Sequence, residues 1–249
     1  MELWIVLVPL FFLTALIYSM AGFGGGSTYL ALLAFFSVPY QSMPQTALLC
    51  NLVVVCGGCW FFIKGGHFSL RRVLPFVVSS IPMAYYGGTV PIGKKLFTLL
   101  LGISLAVAAL RMLLSGYSFE RRTELSWRNA WVTGIPIGAV LGFFSGLVGI
   151  GGGIYLSPLL MILGWADSKE AAAAASFFIL VNSMAGLIGQ FSKSGLSFEI
   201  SEVLPLLVAV FLGGQIGSRL GSQKLPRLAI QRITALLILY ISGRLLLQK

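Results

Sequence analysis

Ten apolar runs follow one another along the chain with only short polar breaks between them. They cover residues 3–20, 27–38, 47–63, 73–90, 96–114, 130–148, 154–163, 171–191, 203–220 and 228–247. Eight of them are 17–21 residues long, the length that spans a hydrocarbon core of about 30 Å as helix. The other two have only 12 and 10 residues. Charged residues make up 10% of the 249-residue chain, against roughly 25% in an ordinary soluble domain. So few charges cannot cover a water-facing surface. The sequence predicts an all-α polytopic membrane protein whose solvent is the lipid bilayer, with no room left for a soluble enzyme domain.

The chain carries 17 Lys and Arg against 7 Asp and Glu. Most of these cations sit in short loops between apolar runs, where they hold loops on the cytoplasmic side; nothing in the pattern points to nucleic acid. The three cysteines, Cys50, Cys56 and Cys59, share one apolar run. Without a second pair or a nearby histidine they read as small packing residues rather than a metal or redox site.

The longest polar stretch, 115–128, divides the chain into two halves, 1–114 and 129–249, with five runs each. Ala-Gly-Phe-Gly-Gly-Gly at 21–26 matches Val-Gly-Ile-Gly-Gly-Gly at 148–153, each after the first run of its half and before the short one. Asn51 aligns with Asn182, Val73-Leu74-Pro75 with Val203-Leu204-Pro205, and Gly87-Gly88 with Gly213-Gly214. We expect two homologous repeats of four to five membrane segments each, eight to ten in total. The repeat makes the first run structural rather than a secretory leader, since its counterpart lies mid-chain.

A 12-residue helix is about 18 Å long, short for an ordinary crossing. If each short run switches sides, the cations divide 12 to 5; if it turns back, they divide 10 to 7. The stronger bias favours switching, hence an odd number of crossings per half and repeats of inverted orientation.

The glycine elements carry the main chemical signal. Consecutive glycines leave backbone amides unpaired inside a membrane unless something bonds them, and a helix begins directly after each element. Free N–H groups and the positive end of a helix dipole form an anion site. Transporters built from repeats place such broken helices near the midplane, facing the substrate. We therefore expect Gly24, Gly25, Gly26, Gly151, Gly152 and Gly153 to supply amide donors to a small anionic substrate. Polar side chains in apolar runs are costly and suggest function; Ser27, Gln45, Thr46, Asn51, Tyr155, Ser176 and Asn182 are the candidates. Other glycines repeat every four residues, at 134, 138, 142 and 146 and at 213, 217 and 221, a spacing that lets membrane helices pack closely.

All seven acids lie at run ends or in loops, and His67, the single histidine, sits in the loop between Lys64 and Arg72. No catalytic Ser/His/Asp set, zinc motif or phosphate-binding loop can be assembled from these residues. The sequence thus points away from an enzyme and implies no cofactor.

The two glycine elements, with the Ala-rich entry from Ala171 to Ser176 leading to Asn182, resemble the TauE/SafE sulfite exporter family of membrane permeases. The resemblance runs through both halves, although Thr46 to Asn51 lacks the Ala-rich, serine-bearing lead of its counterpart. It implies transport of a small sulfur-containing anion such as sulfite, a sulfonate or sulfoacetate, often as export. A secondary transporter working by alternating access is the leading expectation. A passive anion channel and a non-transporting accessory subunit are the alternatives, and a homo-oligomer is compatible with either.

Overall fold

The computed structural model describes residues 2–20, 22–113, 126–220 and 227–247. Among the described residues every regular element is a helix, and there are ten: α1 (Glu2–Met20), α2 (Gly26–Phe35), α3 (Met43–Lys64), α4 (Leu70–Thr89), α5 (Lys94–Leu113), α6 (Trp127–Val148), α7 (Gly153–Ile162), α8 (Ser168–Ser194), α9 (Ile200–Leu220) and α10 (Arg227–Leu247). Each apolar run became one helix. Most start a few residues early, because the first turn needs caps rather than hydrophobicity. At α8, Asp167 Oδ1 accepts from the amides of Lys169 and Glu170, both at 2.9 Å, while Glu170 Oε2 accepts from the Asp167 amide at 3.0 Å. The expected linker, 115–128, lies mostly outside the described residues, and its last two residues, Trp127 and Arg128, already belong to α6.

Among the described residues, four helices, α3, α6, α8 and α9, are long and apolar enough to cross a bilayer by length and composition. Large apolar side chains such as Ile5, Trp60, Val132, Val140 and Leu212 point outward, as suits a lipid-facing surface.

The glycine stripes are packing seams. A Cβ on Gly134, Gly138, Gly142 or Gly146 would run into the α4 backbone at Pro75, Phe76, Ser80 and Ala84 in turn. Likewise Gly213 and Gly217 of α9 lie against the Phe12 and Leu16 carbonyls of α1; Gly221 lies outside the described residues. On α8, Gly189 meets the Tyr85 carbonyl and Gly186 meets Gly146. Without a hydrophobic force between helices in lipid, close backbone approach is what holds such seams.

Helix ends gather in two groups. At one end Arg71 lies over the Trp127 ring at 5.2 Å and Arg72 pairs with Glu170 at 2.6 Å, joining the starts of α4, α6 and α8. At the other, Gln45 of α3 donates to the Gly195 carbonyl at 2.8 Å, Gly149 touches Pro44, and Arg244 lies over Phe35 at 5.4 Å.

The α4–α6 seam yields a stability prediction. Gly146→Val should lower thermal stability by about 1–3 kcal/mol or more, read as the melting shift of the detergent-purified protein. Gly93→Ala, where a Cβ meets nothing within 4 Å, should melt like the parent.

Candidate functional site

Both short helices start from a left-handed glycine: Gly25 (φ 93°) precedes α2 and Gly152 (φ 73°) precedes α7. Glycine adopts this conformation without steric cost. The two glycine elements meet. A Cβ on Gly26 would stand 2.7 Å from the Ile150 carbonyl oxygen, so the chain segments touch backbone to backbone.

Asn51, on α3 and fully buried, lies between them. Its Nδ2 donates to the Ile150 carbonyl at 3.3 Å, and its side chain blocks the space beside Gly24, Gly26 and Gly151. One side chain thus touches both elements. Its Oδ1 has no hydrogen-bond partner among the described residues.

The backbone amides around it are largely unspent. The Thr28 and Tyr29 amides donate to the Gly25 carbonyl at 2.9 and 3.0 Å, and the Gly153 amide donates to the Gly151 carbonyl at 3.0 Å. Among the described residues, no backbone carbonyl accepts the amides of Gly24, Gly25, Gly26 and Ser27 in the first element or of Ile150, Gly151, Gly152 and Ile154 in the second. With two helix N-termini beside one another, the electrostatics favour negative charge.

The remaining candidates take different places. Ser176 donates to the Gly22 carbonyl at 2.5 Å, with the Ala172 carbonyl at 3.0 Å, and so ties α8 to the first element. Tyr155 donates to the Ser104 carbonyl on α5 at 2.7 Å. Ser27 is buried at the start of α2. Gln45 is consumed by the loop after α8: its Nε2 faces Gly195 and Ser197, and its Oε1 accepts from the Ser197 amide at 2.9 Å. Thr46 lines a cavity of about 530 Å³ with Trp4, Ser42, Ser197, Glu199 and Glu202. That cavity opens at the Gln45 end and reaches to within five residues of Asn51 on α3, about 7.5 Å of helix.

Asn182 is not the counterpart of Asn51. Its Nδ2 donates back to the Phe178 carbonyl of its own helix at 2.8 Å. The α8 side chains against Gly151 are Ile179 and Ser183, and Ile179 also packs on Gly153. The glycine elements are offset by 127 positions, whereas 131 are needed to carry Asn51 onto Asn182. Held constant, the shorter offset ends at Phe178, beside Ile179.

Ser183, which the sequence pattern did not single out, and Tyr29, which follows the first glycine element, are further polar groups at the site. The Ser183 hydroxyl is fully buried, lies 3.3 Å from where a Gly151 Cβ would stand, and has no partner among the described residues. Tyr29 stacks on Phe11 with ring centroids 4.7 Å apart, and its unpartnered hydroxyl lies against Gly25.

This paired arrangement of glycine turn and half-helix runs through both halves, and a family profile covers both. The profile of the sulfite exporter TauE/SafE family matches residues 7–245. The chain belongs to that family. It is 34% identical to the probable membrane transporter protein y4hK of Sinorhizobium fredii, over 95% of each chain. It is 24% identical to the probable membrane transporter protein YunE of Bacillus subtilis, over 98% of this chain and 97% of that one. No solved structure matches it significantly. It is therefore a multi-pass integral membrane protein of a transporter family.

Gly24 offers a direct test of the site. Its φ is not left-handed, so Gly24→Ala adds no backbone strain, but the new methyl displaces Asn51 Oδ1. We expect about a tenfold or greater loss of transport, the scale of one spoiled buried hydrogen-bonding group, with membrane insertion and melting temperature near those of the parent. Vesicle flux beside melting curves checks it.

Proposed function

We propose that this protein is a secondary transporter that exports a small sulfur-containing anion, such as sulfite, a sulfonate or sulfoacetate, by alternating access. The observation that carries the reading is the meeting of two glycine-capped helix N-termini at Asn51, with eight amides lacking a backbone acceptor among the described residues. A buried cluster of donors without acceptors is costly in a membrane, and an anion's oxygens satisfy it without a buried cation. Gly24, Gly25, Gly26, Gly151 and Gly152 supply amides; Asn51 and Ser183 supply side chains. Ser176 holds the first element in place.

The proposed frame is two inverted repeats, 1–114 and 129–249, joined by 115–128. Exchanging the halves leaves the main packing pairs unchanged: α1 lies on α9 as α6 lies on α4, and α3 lies on α9 as α8 lies on α4. In this frame the short segments switch sides and the cations of the sequence divide 12 to 5; the larger group includes Arg71 and Arg72, at the Arg72–Glu170 end, which marks that end as cytoplasmic. The cavity beside Thr46 then faces outward. Ion pairing, ring contacts and the Ser176–Gly22 bond close the cytoplasmic side. Rocking one repeat against the other about the glycine site would exchange the open side.

Proteoliposomes loaded with radiolabelled sulfite test this reading. Saturable efflux, accelerated by unlabelled sulfite or sulfonate outside, is the expected result. Linear efflux without acceleration would mean a channel, and absence of flux with any anion would overturn the reading. Gly152→Val should abolish efflux with the protein still inserted in the membrane, because its cost is local: a left-handed backbone and the facing Phe178 ring.

A further inference from the structure

Asn51 is oriented by its own hydrogen bond. Only the NH2 group of its amide can face the Ile150 carbonyl, and Nδ2 does so at 3.3 Å. That leaves Oδ1 beside Gly24, in a fully buried side chain, with no donor among the described residues. The neighbouring amides are donors without acceptors, yet none is within hydrogen-bonding geometry of this oxygen. The site therefore presents several donors and one outstanding acceptor. The Ser183 hydroxyl, against Gly151, can serve in either role.

Resting on the anion reading above, we infer that the site selects an oxyanion that still carries a hydrogen-bond donor. This is either a monoanion retaining an acidic proton or a small organic oxyanion with a hydroxyl next to its acid group. The ligand's O–H donates to Asn51 Oδ1. Its charged oxygens accept from the glycine amides and from Ser183. An oxyanion without a donor leaves Oδ1 unmet and brings a negative oxygen against the negative end of the side-chain dipole. Sites built to bond a hydroxyl discriminate sharply against the analogue that lacks it, because their own polar group is then stranded.

The probes are 2-hydroxyethanesulfonate and ethanesulfonate, which differ by one hydroxyl. Each is offered as external counter-substrate to proteoliposomes and as a ligand in melting curves of the detergent-purified full chain. The hydroxylated probe should half-saturate at roughly 10–100-fold lower concentration, the range for one stranded buried group. In Asn51→Ala that preference should fall to near unity, and Gly24→Ala, which displaces Oδ1 without left-handed strain, should behave alike. Ser183→Ala should weaken both probes while leaving the preference in place. Equal affinities in the parent, or a preference that survives in Asn51→Ala and Gly24→Ala, would overturn the inference. So would recognition of neither sulfonate by a protein that still carries another anion. If no anion is carried at all, the transporter reading itself fails, and this one with it.

Discussion

The bond from Asn51 Nδ2 to the Ile150 carbonyl joins the two halves of the chain at their buried glycine turns. Consecutive glycines inside an apolar protein leave N–H and C=O groups that lipid cannot satisfy. Packing Gly26 onto Ile150 and filling the remaining gap with one amide side chain removes part of that cost. The eight amides without a backbone acceptor among the described residues are then concentrated in one place. In the proposed reading a bound anion would satisfy those amides, so the backbone that the glycine turns leave open and the proposed binding site are the same feature.

The surrounding helices serve this point by close approach. The α4–α6 and α1–α9 seams bring backbones together through glycine stripes, and α8 is drawn against α4 by Gly189 and against α6 by Gly186. The short helices α2 and α7, each only ten residues long, sit among these seams, and α2 is buried from Gly26 to Leu33. At the Arg72 end, Glu170 closes the capping box of α8 and pairs with Arg72. At the opposite end Gln45 fastens α3 to the loop after α8, with the cavity beside it. The two ends are thus held by different chemistry, one ionic and one neutral.

Much of this was legible in the residues. Ten hydrophobic runs gave ten helices, with ends displaced by a few residues at polar caps. The stripes at 134–146 and 213–217 became the seams their spacing implied. Both glycine elements were recognisable as helix starts, and Asn51 as a buried polar residue with a task. The pairing of Asn51 with Asn182 was the misleading signal: two asparagines in similar surroundings looked equivalent, but one faces the glycines and the other bonds its own helix. Likewise Gln45 reads as a binding residue by its position in an apolar helix, whereas its hydrogen bonds go to a loop about 150 residues away.

Composition and hydropathy alone determined that this chain lives in a bilayer as a bundle of helices, because every backbone group must there be satisfied within its own segment. The tandem glycine elements likewise determined where helices would break, since φ near +90° is open to glycine and little else. Only the tertiary structure decided that both breaks meet at one side chain, that α8 presents Ile179 and Ser183 there rather than Asn182, and that Asn51 keeps an unmet oxygen. Those outcomes depend on the rotation of α8 about its own axis. One residue of register turns a helix by about 100°, and that angle is set by which glycine finds room against which neighbour.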